Sequence, residues 1–143
     1  MRDVRVAEFL ASSIDSTLIF SKSGKILLES REKTLRPLIE AVSLITKCNR
    51  MIVYDKTLGL AAAKIHSLLN PLHIYSSIMS KEAVQFLKLN GIPFHYHKLV
   101  EVIITEEKKT CPYDALARDY DAEELYEILR EEYGIASDSL EKT

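Results

Sequence analysis

Met51-Ile-Val-Tyr-Asp55-Lys-Thr-Leu-Gly59-Leu-Ala-Ala-Ala63-Lys-Ile-His-Ser-Leu-Leu69 decides how the rest of the chain is read. Met51 to Tyr54 is an apolar run without alternation, as in a strand covered on both faces. A buried helix segment would read the same way. The run is short, and Ile52 and Val53 are β-branched, so a strand is favoured. Leu58, Ala61, Ala62, Ile65, Leu68 and Leu69 then recur at helical spacing. Asp55 is placed to cap that helix by accepting a bond from an unpaired N–H. Gly59 and three alanines leave little side chain at the helix start. Backbone or a ligand can approach there, and bare N–H groups favour an anionic or polar ligand. An ordinary capped helix packed on a sheet accounts for the same residues.

The chain around this stretch has 143 residues, of which 47% are hydrophobic and 28% charged. That is ordinary for one globular domain with a sizeable core. The domain is expected over residues 1–136, with a frayed tail at 137–143. A net charge of -2 gives no reason to expect nucleic acid as a partner. No apolar run is long enough to cross a bilayer, and the N-terminus lacks a signal peptide's apolar run, so a cytoplasmic, non-membrane protein is expected. The two cysteines, Cys48 and Cys111, are then free thiols.

After the central helix, Asn70-Pro71 breaks the chain, and residues 72–79 read as a strand. Ser80 caps a helix that turns Ala83, Val84, Phe86 and Leu87 inward and stops at Asn90-Gly91. Pro93 opens a strand over residues 94–100, with room to continue to Ile104. A charged loop containing Lys108 and Lys109 leads to Cys111-Pro112-Tyr113-Asp114, where Pro112 opens a short helix burying Ala115 and Leu116. A last helix over residues 122–133 uses Leu125, Ile128 and Leu129, with five glutamates on its solvated face. Before the central strand, residues 3–12 read as a helix. Residues 17–20 and 25–29 read as a hairpin turning at Gly24. A helix then begins near Thr34, with Pro37 in its first turn and Leu35, Leu38, Ile39, Val42 and Ile45 as its apolar stripe.

Strands that alternate with helices should be parallel neighbours joined by right-handed crossovers. The expected architecture is a three-layer α/β/α sandwich, with a five-stranded mixed sheet and a helical C-terminal appendix. Ligands in such sheets sit beyond the carboxyl ends of the strands. The helix start near Thr34, the turn from Asp55 to Gly59 and the Cys111 loop are the candidates to meet there.

The same element order is similar to the cytidine deaminase-like fold. Asp55-Lys-Thr-Leu-Gly59-Leu-Ala61-Ala62 and Cys111-Pro112-Tyr113-Asp114 resemble the D-x-x-x-G-x-A-A and C-P-x-[E/D] signatures of a small family of uncharacterised prokaryotic proteins assigned to that fold. The similarity runs from about Ile14 through Leu116. Active zinc deaminases carry H-x-E or C-x-E at one helix start and P-C-x-x-C at the next. Here those positions read Thr34-Leu35-Arg36-Pro37 and Asp55-Lys56-Thr57-Leu58-Gly59. Neither supplies a His or Cys, so the resemblance implies a pocket position without a metal or other cofactor, and argues against zinc-dependent deamination.

Cys111 is the sharpest candidate for chemistry. Nearby lysines and a helix start would lower a thiol's pKa and favour the thiolate. A nucleophilic Cys also needs a base, and sequence alone places none of His66, His73, His95 or His97 beside it. An inert loop or capping cysteine is the commoner outcome for such a position. His95 and His97 share one face of a strand, a solvent-facing pair rather than a metal site. His66 reads as a surface or boundary residue, and Tyr54 as core or pocket wall. Arg36 and Lys56 would set positive charge at two helix mouths.

The leading expectation is a zinc-free protein that binds a small polar ligand, nucleotide-like by fold analogy alone. Its contacts would come from Thr34, Arg36, Asp55, Lys56, Thr57, Gly59, Ala61, Cys111 and Asp114. The alternatives are an enzyme using Cys111 as nucleophile with Asp55 or Asp114 assisting proton transfer, and a protein-interaction module with a vestigial pocket. A homodimer is compatible with a small α/β sheet.

Overall fold

In a computed structural model, which describes residues 17–22, 25–44, 51–104 and 111–135, a mixed sheet carries five helices. The expected helix at residues 3–12, the turn at Gly24, the end of the helix that begins near Thr34, at Ile45 and Cys48, the loop with Lys108 and Lys109, and the tail at 137–143 lie outside those residues.

Strands β1 (Leu18–Lys22) and β2 (Lys25–Ser30) form the antiparallel hairpin, with a register shift between Phe20 and Ser21. Helix α1 (Arg36–Leu44) follows, burying Leu38 and Ile39 and half-burying Leu35 and Val42. Strand β3 (Ile52–Asp55) pairs antiparallel with β1. It lies parallel to β5 (His73–Ser80), which lies parallel to β6 (Phe94–Val100). The parallel neighbours are those the alternating pattern predicts.

The segment after Asp55 departs from the expected turn. Thr57–Leu58 forms a short strand, β4, on the same side of β5 as β3. Ile52 opposes His73 and Thr57 opposes Ile78, the same step along both strands, so β4 continues the line of β3. Lys56 interrupts that line: its N–H donates to the Thr17 carbonyl at 2.9 Å, and its own carbonyl accepts from Ile78 N–H at 3.0 Å. The sheet therefore counts six strands along five lines.

Helix α2 (Leu60–Ser67) joins β4 to β5, and α3 (Lys81–Leu89) joins β5 to β6. The Ser80 hydroxyl caps α3 by accepting from Ala83 N–H at 3.2 Å. Gly91, at φ 68°, lets the chain turn back after Asn90, a left-handed conformation that glycine adopts at little cost. Helix α4 (Pro112–Ala117) starts at its proline, and α5 (Ala122–Glu132) has a capping box between Asp121 and Glu124. All five glutamates of its predicted outer face are exposed.

Both parallel crossovers step the same way across the sheet, so right-handed connections put α2 and α3 on one face. Helix α2 touches each of the other four helices. It is buried nearly all round, through Leu60, Ala61, Ala62, Ala63, Ile65 and His66, as expected for a helix enclosed by neighbours. The described residues thus form a sheet with one helical layer, and the predicted third layer is not among them. Two local expectations also change. Ala115 is exposed, because the six-residue α4 turns Asp114 and Ala117 inward instead. His66 is fully buried rather than at the surface.

Candidate functional site

The two sequence motifs meet, through Asp114. Gly59 takes the N-cap position of α2 and has no side chain to offer an N–H. The missing acceptor comes from α4: Asp114 Oδ1 accepts the Ala61 N–H at 2.8 Å, across 53 residues of sequence. A carboxylate there answers both the unpaired donor and the positive end of the helix dipole. It fits because Gly59 has no Cβ. One built at that position would stand 2.2 Å from Asp114 Oδ2 and 2.7 Å from Cγ and Oδ1.

Asp55 does not cap α2. Its Oδ2 lies 2.8 Å from Nε2 of His66, whose ring is fully buried and meets Phe20 edge-on, with ring centroids 5.8 Å apart. Nδ1 of His66 has no hydrogen-bond partner among the described residues. Of the two neutral tautomers, the one protonated on Nε2 donates to Asp55. The pair ties the carboxyl end of β3 to the sheet-facing side of α2. The sequence signal was present: His66 stands one turn after Ala62 on the apolar stripe.

A cleft of about 120 Å3 opens where β5 and β6 end and α3 and α4 begin. Its walls are Ser80, Glu82, Val102, Ile103, Cys111, Asp114, Ala115 and Arg118. Asp114 thus serves two surfaces, capping α2 and lining the cleft. Burial raises its pKa, the Ala61 N–H works against that rise, and Glu82 adds to it. Arg118 and Glu82 close the rim with a two-point contact, Nε to Oε2 at 2.6 Å and Nη2 to Oε1 at 3.1 Å.

Cys111 lies in the same cleft at the N-cap position of α4, with no side-chain capping bond. Its thiol pKa is raised, first by burial and then by the neighbouring Asp114 carboxylate. This reverses the lowered pKa expected from sequence: removal from water and a nearby negative charge both disfavour the thiolate. At pH 7.5, iodoacetamide should modify Cys111 about 3–10 times more slowly than an unstructured peptide thiol. Peptide mapping by mass spectrometry separates it from Cys48. Labelling faster than the peptide would contradict this placement.

The other predicted contacts lie elsewhere. The Thr34 hydroxyl accepts from Arg36 N–H at 3.2 Å and bonds the Glu32 carboxylate. Arg36 donates from Nη2 to the Tyr133 carbonyl at 2.8 Å and lies over the Tyr133 ring at 5.3 Å. That end of α1 therefore anchors the C-terminal helix. Burial and the neighbouring Tyr113 push the Tyr133 pKa up to about 12. Lys56 and Thr57 are exposed on the strand line. Neither they, Asp55, Thr34 nor Arg36 lines the cleft. His95 and His97 are exposed on β6, the solvent-facing pair expected of them. Glu82, Arg118, Val102 and Ile103 are cleft residues that the sequence reading missed.

The donor set does not fit a zinc-hydroxide centre. The helix starts at Arg36 and Leu60 present no His or Cys, and Asp114 is already engaged by Ala61. Among the described residues, no group of three or more His, Cys, Asp or Glu is arranged to hold a metal.

The family model described as TM1506, a domain of unknown function (DUF1893), matches residues 5–133. The chain belongs to the DUF1893 family. It is similar to a DUF1893 family protein (TM1506) from Thermotoga maritima, whose crystal structure was solved at 2.70 Å. The two share 27% identity over 90% of this chain and 88% of that one, with a TM-score of 0.81. No curated protein matches the chain. For this DUF1893 protein, function has to be argued from the site itself. No helix among its described residues is long and apolar enough to cross a membrane.

Proposed function

We propose that this DUF1893 protein binds a small polar ligand in the cleft between the end of β6, the start of α3 and the Cys111–Asp114 segment. The scaffold is taken to be similar to the cytidine deaminase-like fold, with binding in place of zinc chemistry. One observation carries the proposal. Asp114, only 9% exposed, lines a cleft beyond the carboxyl ends of two parallel strands, where ligands of such sheets collect. A desolvated carboxyl group in a concavity is a marker of function as well as of structure. The contacts expected at Asp55 pass to Asp114, because His66 already occupies the Asp55 carboxylate.

The Cys111 enzyme reading fares less well. Burial and Asp114 both disfavour its thiolate, and among the described residues no histidine lines the cleft to act as base.

A melting-temperature screen tests the binding proposal. A ligand at a hundred times its Kd adds about 2.7 kcal/mol of stability. For a domain of this size the rise should be roughly 5–10 °C. The rise should shrink in Asp114→Asn. A panel of nucleosides, nucleotides, sugar phosphates and small amines that moves the midpoint nowhere, or moves both proteins equally, would contradict the proposal.

A further inference from the structure

Three formally charged side chains line the cleft: Glu82, Asp114 and Arg118. Negative charge is in excess. The Arg118 guanidinium lies flat enough on Glu82 for a two-point contact, so the rim already accommodates a planar nitrogen cation. Both partners are part-exposed, 49% for Arg118 and 34% for Glu82 as side chains, and such pairs exchange readily. Deeper in, Asp114 is nine-tenths buried. Its Oδ1 accepts the Ala61 N–H, and its Oδ2 lies against Gly59. Val102, Ile103 and Ala115 supply apolar wall between these polar groups.

The same geometry disfavours an anion. The N–H of Ala61, which a phosphate would seek at the start of α2, is already taken by a carboxylate. An incoming phosphate would meet that carboxylate first.

Resting on the binding reading above, we propose that the ligand is a small nitrogen cation of the ammonium or guanidinium class, held by the Asp114 carboxylate within the cleft and by Glu82 at its rim. Asp114 would accept its N–H groups directly, and Glu82 would exchange the Arg118 guanidinium for the ligand. The cleft volume of about 120 Å3 suits a head group of a few heavy atoms, given that a water occupies about 30 Å3 in the liquid.

NMR titration of the full-length, 15N-labelled protein separates the possibilities, using methylguanidinium chloride and sodium methylphosphate as probes. The expected result is saturable movement of the Ala61, Ala115 and Arg118 amides with methylguanidinium. Its Kd should rise at least tenfold in Asp114→Asn, which keeps an acceptor for Ala61, and severalfold in Glu82→Gln on the exposed rim. Saturable movement of those amides with methylphosphate alone would overturn the cation assignment and leave the cleft as a binding site. Non-saturating shifts that both variants leave unchanged would overturn the assignment too. No movement of cleft amides with either probe would overturn it together with the cleft reading.

Discussion

Replacing Gly59 with alanine should destabilise the fold by about 2–4 kcal/mol, combining overpacking with a lost buried hydrogen bond. The backbone is not the reason. Gly59 sits at φ -100° and ψ -171°, an extended conformation open to any residue. The reason is the space taken by Asp114, whose Oδ2 would stand 2.2 Å from the new Cβ. Aspartate is short, and this one is held by the Ala61 N–H and enclosed by its surroundings. Its helix cannot swing away freely, because Ala117 one turn on is fully buried. The new methyl therefore displaces α4 or uncaps α2. Urea unfolding should show a lower midpoint with an unchanged slope. A loss below about 0.5 kcal/mol would mean that Asp114 steps aside, and that the close fit carries little energy.

Truncating His66 to alanine should cost about 3–5 kcal/mol, the range for deleting a large buried ring. Two losses combine. The ring is fully buried against Phe20, so its removal leaves a cavity beneath α2. Asp55 also loses its 2.8 Å partner, and hydrogen bonds to charged groups contribute about 1.5–3 kcal/mol. His66→Phe separates the two, since it keeps the ring and deletes the bond. The Asp55 side chain is 13% exposed and retains some access to water, so His66→Phe should cost about 1–2 kcal/mol. Equal losses in the two variants would show that the hydrogen bond to Asp55, and not the ring volume, carries the effect.

These two contacts also mark the boundary of what the sequence reveals. The run from Met51 to Tyr54 reads as a strand, and the strand lies one residue on, at Ile52–Asp55; β-branched residues in a short unbroken run favour that solution. Ser80, Pro112 and Asn90-Gly91 place helix ends correctly, since caps and breakers act within one turn. The expected cap at Asp55 fails for the same local reason. Sequence offers the nearest acceptor, whereas the acceptor used, Asp114, lies 53 residues away. Thr57 and Leu58 fit a turn or a strand equally until β5 is known to lie beside them. Six residues of α4 span too few turns for periodicity to separate Asp114 from Ala115 as the inward side chain. His66 is different, because its position on the Ala62 stripe was legible. Here the spacing is a better guide to burial than the residue type.

Gly59 and Asp114 fit one another, joining the two motifs at the start of α2. A double-mutant cycle of Gly59→Ala and Asp114→Ala measures that fit. Asp114→Ala alone should cost about 1–3 kcal/mol, for the uncapped N–H of Ala61. In the double variant the alanine methyl at position 59 enters space the carboxylate has left, so the combined loss should fall short of the sum by at least about 1.5 kcal/mol. Additivity within about 0.5 kcal/mol would contradict that fit, because it would place position 59 and the Asp114 side chain out of contact.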